Sequence, residues 1–367
     1  MKKLGIYIHI PFCISKCKYC GFYSHGGSTD AEHAEYIEGL LEDIREYGNV
    51  YGDRYTVDTV FIGGGTPTII NASYIKEVMD ELKKSFNFSM DAEVSIESNP
   101  KTLTKEKLEV YRQAGINRIS IGLQTFNDDL LKRLGRVHTA SDFEESFRLA
   151  REAGFDNINL DLMFAIPGHT MEIWEETMER AIALNPEHIS FYSLQIEEGT
   201  PFYDMYRRGE FDQIPDDVDR EMYHNAIKRF TEAGYNHYEI SNCAKHGYEC
   251  RHNLKYWNID DYLGIGSSAS SFMEGVRFAE EPVLEFHENT FGDNIGEFVF
   301  TGLRKTSGID LNEFKEKYGM TFEEAFADRL SELDEFFETG RLIREGNVLR
   351  LSTEGIDVSN KIMSVFV

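Results

Sequence analysis

Cysteine, cationic residues and long apolar runs are all scarce in this chain of 367 residues. Five cysteines are too few for the disulfide framework of a secreted protein, so we predict a cytoplasmic protein in a reducing compartment. Lysine and arginine number 38 against 64 aspartates and glutamates, which gives a net charge of −26. Because such a surface repels phosphate backbones, nucleic acid is not expected as a partner.

Apolar runs are short throughout the chain. None reaches the roughly 18 residues that a membrane span needs, so no transmembrane segment is predicted. The stretch from Ile6 to Ile10 is brief and contains His9, which argues against a signal peptide. The composition is compatible with peripheral membrane contact, and an apolar content of 41% predicts a globular protein with a sizeable core.

Most of the cysteine that the chain does have lies in one short loop. Cys13, Cys17 and Cys20 follow the spacing Cys-x3-Cys-x2-Cys. An iron–sulfur cluster usually has four cysteine ligands, so three would leave one iron open to bind a reactant. Lys16 and Lys18 flank the thiols and are expected to ease their deprotonation. The alternative is a chance group of buried free cysteines.

The cysteine spacing, with the aromatic Tyr19 before the third cysteine, resembles the signature of the radical S-adenosylmethionine (SAM) superfamily. The resemblance implies that Cys13, Cys17 and Cys20 hold a 4Fe–4S cluster and that SAM binds at its open iron. A reduced cluster would then cleave SAM to methionine and a 5′-deoxyadenosyl radical. Flavodoxin or ferredoxin is the expected electron donor.

The first 200 residues alternate between strand-like and helix-like apolar patterns. Predicted strands cover 4–10, 57–62, 92–97, 118–122, 157–164 and 188–192, and predicted helices cover 31–47, 71–85, 104–114, 141–153 and 171–184. The alternation predicts an α/β fold of parallel βαβ units. Six such units suit the partial (β/α)6 barrel of radical SAM proteins, whose active sites lie at the C-terminal strand ends.

The pattern loosens after residue 200, and we divide the chain into three units. They are the barrel (1–200), an extension (201–290) with a long helix at 216–234 and an irregular segment at 239–275, and a smaller α+β unit (291–367). The last unit has an apolar helical stripe over 322–337 and a hairpin pattern over 340–351, which suggests a winged-helix-like domain.

A second motif, Gly63-Gly64-Gly65-Thr66-Pro67, follows a predicted strand. Glycines let a backbone approach a ligand closely, although a glycine loop alone is more often only a turn. The motif lacks the Gly-Lys-Ser/Thr ending of a phosphate loop, so ATP binding is not predicted. The matching loop of radical SAM proteins contacts the methionine amino group of SAM, which implies SAM binding by Gly64, Gly65 and Thr66.

Further polar residues stand at or beyond predicted strand ends. Singly, each would be explained about as well by local pairing at a barrel rim. Together they resemble the SAM-holding positions of the oxygen-independent coproporphyrinogen oxidase family, in which acidic residues bind ribose hydroxyls and an arginine pairs with the methionine carboxylate. The positions that the resemblance assigns to SAM in this way are Tyr7, Glu97, Gln124, Arg136 and Asp161.

Within that family the chain most resembles the branch of the haem chaperones. Phe22 stands where the oxidases have a fourth cysteine, and only twelve residues precede Cys13. The run His252-Asn253-Leu254-Lys255-Tyr256-Trp257 matches the His-Asn-x-x-Tyr-Trp motif of haem-binding members. This branch implies haem binding, with His252 as an axial ligand and Tyr256 and Trp257 as flat apolar surfaces, and transfer of haem to acceptor proteins.

The chain departs from this branch at 266–270, where Gly-Ser-Ser-Ala-Ser replaces the usual Gly-Ala-His-Gly and removes a histidine. His252 and Asn253 would on the plainer interpretation satisfy backbone groups in a loop, with Trp257 filling the core. Two enzyme activities are alternatives: oxidative decarboxylation of coproporphyrinogen III to protoporphyrinogen IX, and methyl transfer by a two-SAM radical enzyme.

Two further hypotheses concern the same region and the assembly. Cys243, His246, Cys250 and His252 have the ligand types of a structural zinc site. A homodimer that holds an exchangeable haem between its subunits is also compatible with the sequence.

Overall fold

The structure is a computed structural model that describes residues 1–279 and 285–367. Most strands in this part of the chain belong to one large sheet. The strands are β1 Lys2–Ile10, β2 Phe12–Cys13, β3 His25–Gly26, β4 Tyr55–Gly64, β5 Asn87–Ser98, β6 Arg118–Gln124, β7 Ile158–Phe164, β8 His188–Ser193, β9 Asn236–Glu239, β10 Asn242–Ala244, β11 Tyr262–Ile265, β12 Ser270–Met273, β13 Val276–Ala279, β14 Glu285–Glu288, β15 Ile309–Asp310, β16 Leu342–Glu345 and β17 Val348–Leu351.

Helices follow most of the long strands. They are α1 Asp30–Tyr51, α2 Ala72–Ser85, α3 Lys105–Ala114, α4 Asp128–Leu134, α5 Ala140–Glu152, α6 Met171–Ala183, α7 Pro201–Arg207, α8 Asp216–Glu232, α9 Arg251–Asn258, α10 Phe291–Gly302, α11 Leu311–Tyr318, α12 Phe322–Ala325, α13 Asp334–Glu338, α14 Thr353–Ile356 and α15 Ser359–Met363, with 3-10 turns at Pro67–Ile69, Leu330–Glu332 and Ser364–Phe366.

The described strands of the large sheet lie in the order β14-β13-β12-β11-β1-β4-β5-β6-β7-β8-β10-β9. Seven neighbours, from β11 to β8, run parallel, and the remaining strands extend both edges in antiparallel fashion. This confirms the predicted α/β fold and its partial barrel, because the order is open at both ends among the described strands. The C-terminal ends of the parallel strands meet at one rim, as expected.

Apolar side chains on both faces hold the strands between the helix layer and the barrel interior. Strand β6 is buried over its whole length, and α1 buries Ile37, Leu40 and Ile44 on one stripe. The α1 helix begins at Thr29, whose side chain accepts from the backbone N–H of Glu32 in a capping box. The strands and helices predicted for the first 200 residues are therefore all present.

The segment 239–275, predicted to be irregular, is instead built of short regular elements. It contains β10, α9, β11 and β12. Elements of three to eight residues are too short to show a periodic pattern, which is why the prediction is wrong. Residues 201–290 place β9 and β10 beside β8, and β11 to β14 beside β1, so this segment extends both edges of the barrel sheet. The boundaries at 200 and 290 stay a prediction.

The C-terminal unit contains a sheet in the order β15-β17-β16 packed with short helices. The hairpin predicted over 340–351 is present as β16 and β17. The single helix predicted over 322–337 is wrong: α12, a 3-10 turn and α13 take its place. Phe322, Leu333 and Phe336 are buried, so the apolar residues face the core from successive short turns. No helix in the described ranges is both long and apolar enough to cross a membrane.

Candidate functional site

The three cysteines and the polar strand ends line one cavity of about 450 Å³, which we call the rim cavity. Its predicted members come from the cysteine loop, from β4 to β7 and from the loop after α4. They are Cys13, Cys17, Cys20, Gly64, Gly65, Glu97, Gln124, Arg136 and Asp161. The structure thus brings together in space residues that are spread over about 150 positions of the sequence.

Backbone contacts fix the cysteine loop on the rim. The N–H of Cys20 donates to the carbonyl of Cys17 at 3.2 Å, and the N–H of Lys18 donates to the carbonyl of Leu134 at 3.0 Å. Phe12, at the start of the loop, is buried and packs against the rings of His33 and Tyr36. All three cysteines are partly exposed free thiols.

The electrostatics of the loop differ from the expectation based on its lysines. Burial raises the pKa of the Cys17 thiol, and the nearby charge that opposes this shift is the Arg136 guanidinium. Lys16 donates instead to the carbonyl of Phe22 at 2.9 Å. The cation that favours a Cys17 thiolate therefore comes from the loop after α4, not from the flanking residues Lys16 and Lys18.

Cys13, Cys17 and Cys20 line the rim cavity together. No group of three histidine, cysteine, aspartate or glutamate side chains in the described ranges is arranged to hold one metal ion. The ligands of a 4Fe–4S cluster bind separate irons, so such a cluster does not require three sulfurs to converge on one point. Phe22, two residues after Cys20, is 72% exposed.

The zinc site considered as an alternative is not formed in the described chain. Cys243 and Cys250 are buried, and the Cys250 thiol donates to Glu93. His246 is exposed, and both ring nitrogens of His252 have other partners. The four side chains therefore do not form one set of metal ligands.

The glycine loop lies against the cysteine loop with no room for side chains. Gly64 has φ +108°, and a Cβ added there would lie 2.5 Å from the ring of His9. A Cβ at Gly65 would lie 2.6 Å from the carbonyl oxygen of Phe12. The hydroxyl of Thr66 lies 3.6 Å from the Cys13 sulfur. The motif is therefore a close-approach loop beside the cysteines rather than an ordinary turn.

Two partly buried carboxyl groups face the rim cavity. Glu97 accepts from the backbone N–H of Gly64 at 3.2 Å, and Asp161 accepts from Ser120 at 2.9 Å and from Asn159 at 2.8 Å. Burial and the nearby charge of Asp161 raise the pKa of Glu97 to about 8, and burial also raises the pKa of Asp161. A ligand with hydroxyl donors or positive charge would relieve this repulsion.

Arg136 also lines the rim cavity and is fixed by hydrogen bonds. Its guanidinium donates to Asn99 at 2.6 Å and to the Tyr19 hydroxyl at 2.9 Å, while its Nε is buried and has no partner among the described residues. Gln124 has φ +72° and accepts from the Tyr192 hydroxyl at 3.1 Å. The unpaired donor of Arg136 suits an anionic ligand group.

Asn99 and Tyr192 also line the rim cavity, although neither is among the predicted site residues. Asn99 donates to Thr66 at 2.7 Å and accepts from Arg136, so it links the glycine loop to the arginine. Its signal is present in the sequence, because Asn99 follows a predicted strand and precedes a proline. Tyr192 likewise stands near the end of a predicted strand.

The motif at His252 lies deeper, beside a second cavity of about 200 Å³, which we call the inner cavity. Tyr7, His252 and Tyr256 line the inner cavity, which shares Glu97 and Asp161 with the rim cavity. The two cavities therefore adjoin at the carboxyl pair.

His252 is fully buried, and both of its ring nitrogens are occupied. Nδ1 lies 2.8 Å from the Thr59 hydroxyl and Nε2 lies 2.9 Å from the Tyr256 hydroxyl. Burial, together with the charges of Lys255 and Arg118, lowers the pKa of His252 to about 3, so the ring is neutral. Trp257 lines neither cavity; its ring lies edge-on to that of Tyr256, with 6.4 Å between centroids, and the Arg304 guanidinium lies 4.3 Å from its centroid.

Comparison with known proteins places these features in a family. The family model for the radical SAM superfamily matches residues 7–181, and the model for the HemN C-terminal domain matches residues 293–358. A protein named heme chaperone HemW from Bacillus subtilis is 37% identical over 98% of both chains. A protein of the same name from Lactococcus lactis is 32% identical over 100% of this chain and 97% of the relative.

Other relatives match over a shorter stretch. The heme chaperone HemW of Escherichia coli is 39% identical over 72% of this chain and 69% of the relative. Among solved structures, the coproporphyrinogen III oxidase HemN from Escherichia coli, described as a radical SAM enzyme, gives a TM-score of 0.88 at 24% identity over 100% of this chain and 90% of that chain. The latter likeness shows the fold.

Proposed function

We infer the function from one premise: this chain belongs to the radical SAM superfamily and, within it, to the HemW family. We propose that it is a haem chaperone that binds a 4Fe–4S cluster, SAM and haem and passes haem to acceptor proteins. The observation that carries the proposal is the rim cavity, which unites three cysteines, a close-approach glycine loop and a carboxyl pair.

We propose that Cys13, Cys17 and Cys20 hold the cluster. When bound, a 4Fe–4S cluster supplies one electron at a time and an iron with an open position. Arg136 favours the thiolate form of Cys17, and Thr66 orders the environment of Cys13. Three cysteine ligands would leave the fourth iron free for SAM.

SAM would lie along the rim cavity between the glycine loop and the carboxyl pair. Gly64, Gly65 and Thr66 offer backbone groups to its methionine end, and the unpaired donor of Arg136 suits the methionine carboxylate. Glu97 and Asp161 are placed to accept from the ribose hydroxyls. We assign Gln124 and Tyr7 to the same ligand as further contacts.

For haem we retain His252, Tyr256 and Trp257 as the proposed contacts. As a ligand, His252 would have to leave Thr59 or Tyr256, because both ring nitrogens are engaged. Its neutral ring favours metal binding, since only an unprotonated nitrogen coordinates iron.

We propose a cytoplasmic location and a flavodoxin or ferredoxin as the electron donor, together with haem-acceptor proteins as partners. A homodimer around a shared haem and peripheral membrane contact belong to the same proposal. The oxidase and methyltransferase alternatives gain no support of their own, because the likeness to the HemN oxidase at 24% identity concerns the fold.

Anaerobic reconstitution with iron and sulfide tests the cluster. We expect about four irons per chain in the wild type and a loss of most of this iron in Cys17→Ser. Cys243→Ser is the matched control, since Cys243 is buried in β10 away from the loop. Equal iron content in all three proteins would contradict the assignment.

Haem titration of the reconstituted protein tests the haem contacts. We expect a Soret band in the wild type and a weaker one in His252→Ala. Thr59→Val removes the hydrogen bond to Nδ1 but keeps the ring, so it should bind haem at least as well as the wild type. If His252→Ala keeps the full band while its far-ultraviolet circular dichroism is unchanged, His252 is not a haem ligand.

A further inference from the structure

Arg118 is a buried cation of the barrel interior that takes no part in the contacts proposed for the cluster, SAM or haem. It is the first residue of β6 and is 2% exposed. Because side chains alternate along a strand, Arg118 and Ser120 lie on the same face, and both line the inner cavity. Ile119 and Ile121, on the other face, belong to the apolar core. The fold therefore places a guanidinium in the wall of the inner cavity.

The positive charge of Arg118 has little direct compensation in the described chain. The side chain makes one hydrogen bond to the residues described, from Nη1 to the Ser95 hydroxyl at 3.4 Å, which is long. Its Nε is buried without a partner, and no carboxylate oxygen of the described residues lies within 4.0 Å of the guanidinium. A guanidinium has five N–H donors, and a buried charge without a partner is costly. The site therefore lacks an anionic acceptor.

The acidic groups around Arg118 are engaged by other donors. Burial opposes the charged form of Arg118, but nearby anionic groups, Glu93 and Asp161 among them, raise its pKa overall, so the guanidinium stays positive. Glu93 accepts from the backbone N–H groups of Arg251 and His252, at 3.1 Å each. Asp161 already accepts two hydrogen bonds from its neighbours. Neither acid is therefore free to pair directly with the guanidinium.

The size and lining of the inner cavity limit what could supply the acceptor. Its volume of about 200 Å³ is below the roughly 300–1,000 Å³ of pockets for drug-sized ligands, so the ligand has to be small. The rings of Tyr7, Phe61 and Tyr256 line the cavity and suit an apolar body. Ser190 and Asn253 add neutral groups that form hydrogen bonds. A small organic anion fits this lining better than an inorganic one.

The charges around the inner cavity favour a ligand with a single negative charge. Among the lining residues that the structure describes, Arg118 is the one cation, because its lowered pKa keeps the His252 ring neutral. Glu97 and Asp161 line the same cavity and would repel a dianion such as phosphate. A carboxylate has one charge, and its two oxygens match the planar fork of a guanidinium.

We propose that the inner cavity is a binding site for a small monocarboxylate, whose carboxylate pairs with the Arg118 guanidinium. Pairing would give the buried charge the partner that the chain does not provide. The body of the ligand would lie among the aromatic rings, next to the carboxyl groups that the inner cavity shares with the rim cavity. The site needs neither the cluster nor SAM, so the inference goes beyond the proposed function.

A carboxylate could reach Arg118 from two sources, a free acid or a propionate side chain of haem. The volume of the inner cavity favours the free acid, because the whole macrocycle of haem is too large for it. Only the haem source rests on the proposed function.

Titration of the full chain with 4-fluorobenzoate, followed by fluorine NMR, tests the site. We expect the wild type to bind 4-fluorobenzoate at least about tenfold more tightly than the neutral isostere 4-fluorobenzamide, and Arg118→Gln to lose this preference. Arg118→Lys keeps the charge but not the fork, so it should retain part of the preference. Arg148→Gln removes an arginine that is 51% exposed on α5, and this matched control should behave as wild type.

Competition with haem distinguishes the two sources of the carboxylate. Retention of 4-fluorobenzoate by the wild type at saturating haem would support a site for a free acid. Displacement of the probe by haem but not by haem dimethyl ester would support a site for a haem side chain.

Arg136→Gln separates the inner cavity from the rim cavity, where Arg136 also has an unpaired Nε. This variant should bind SAM more weakly yet keep the preference for the carboxylate probe. Loss of the preference in Arg136→Gln but not in Arg118→Gln would place the probe in the rim cavity and overturn the proposal. Equal affinities of the wild type for 4-fluorobenzoate and 4-fluorobenzamide would also overturn it, even if the Arg118 variants do not fold. A chain that fails to load a cluster yet shows the preference would overturn the proposed function and leave this site standing.

Discussion

At the scale of single residues, the rim cavity holds an unfavourable pair. Glu97 and Asp161 are both partly buried. Burial raises the pKa of both carboxyl groups, and the charge of Asp161 raises that of Glu97 further. Such groups lower the stability of a protein without its ligand. A ligand that relieves their repulsion binds more tightly as a result. The pair is therefore a sign of a binding site rather than of a structural ion pair.

We expect Glu97→Gln to remove a pH-dependent loss of stability. The pKa of Glu97 is raised to about 8, so between about pH 5 and 8 the folded chain holds a proton that the unfolded chain has released. Stability therefore falls as pH rises through this window, by up to about 1.4 kcal/mol per pH unit. Urea unfolding at pH 5.5, 7 and 8.5 in the absence of SAM checks this.

The free energy of unfolding of Glu97→Gln, relative to that of the wild type, should increase as pH rises. Glu109→Gln on the exposed surface of α3 makes the same change of side chain outside the cavity, so it is the control and should leave the pH profile unchanged. A constant difference between Glu97→Gln and the wild type at all three pH values would contradict the raised pKa.

Sequence reasoning places single residues well where a strand end fixes their position. Glu97, Gln124 and Asp161 were predictable to share a rim because parallel strands end together. The surroundings of His252 were not, because its partner Thr59 is 193 residues away in the chain and its burial depends on how α9 packs. The motif identifies a histidine at this position but not the groups that form hydrogen bonds with its ring nitrogens.

At the scale of elements, the long strands and helices follow from local pattern, and the short ones do not. β6 is buried at every position and α2 buries a regular stripe, so both are visible in the sequence. β11 has four residues, one of them Gly264, and becomes a strand because it pairs with β1. Tertiary pairing, rather than propensity, creates such an element.

Helix α1 offers a matched pair of glycine substitutions with opposite expected signs. A Cβ at the exposed Gly39 would meet no atom within 4 Å, so Gly39→Ala should stabilise by about 0.5–1 kcal/mol. A Cβ at Gly48 would lie 2.6 Å from the Cβ of Ser85, so Gly48→Ala should destabilise by about 1–3 kcal/mol. Urea unfolding of both variants measures this.

The two substitutions share the same helix and the same chemistry, and each is the control for the other. A stabilising Gly48→Ala would mean that α1 does not pack against the end of α2 as described. A destabilising Gly39→Ala would mean that the exposed side of α1 has a partner surface in solution.

At the scale of the whole molecule, buried neutral histidines make the fold sensitive to acid. Burial lowers the pKa of His138 and His169 to about 4 and that of His252 to about 3, and it also lowers the pKa of His188. Below about pH 6.5 these rings become protonated in the unfolded chain, whereas in the folded chain they stay neutral. Stability should therefore fall as pH drops from 6.5 towards 4.

His169→Phe tests this contribution at one site. His169 is 4% exposed, neither ring nitrogen has a hydrogen-bond partner among the described residues, and its ring packs edge-on against Trp174. Below pH 6.5 the free energy of unfolding should fall as pH drops in both proteins. We expect this fall to be smaller in the variant than in the wild type, by up to about 1.4 kcal/mol per pH unit. Urea unfolding between pH 7 and 5 measures the slope.

His287→Phe is the control, because the His287 side chain is 68% exposed and close to Asp293 rather than buried. It should leave the slope near that of the wild type. Parallel stability curves for His169→Phe and the wild type would show that His169 titrates normally in the folded chain.

The position of β1 between β4 and β11 has a consequence for the order of folding during synthesis on the ribosome. Gly5 of β1 pairs with Tyr262 of β11, which is translated more than 250 residues later. Until β11 has left the ribosome, β1 has one unpaired edge. We therefore expect the cysteine loop, which follows β1, to reach its final position only once β11 has been made, and iron and sulfide to be loaded after that point.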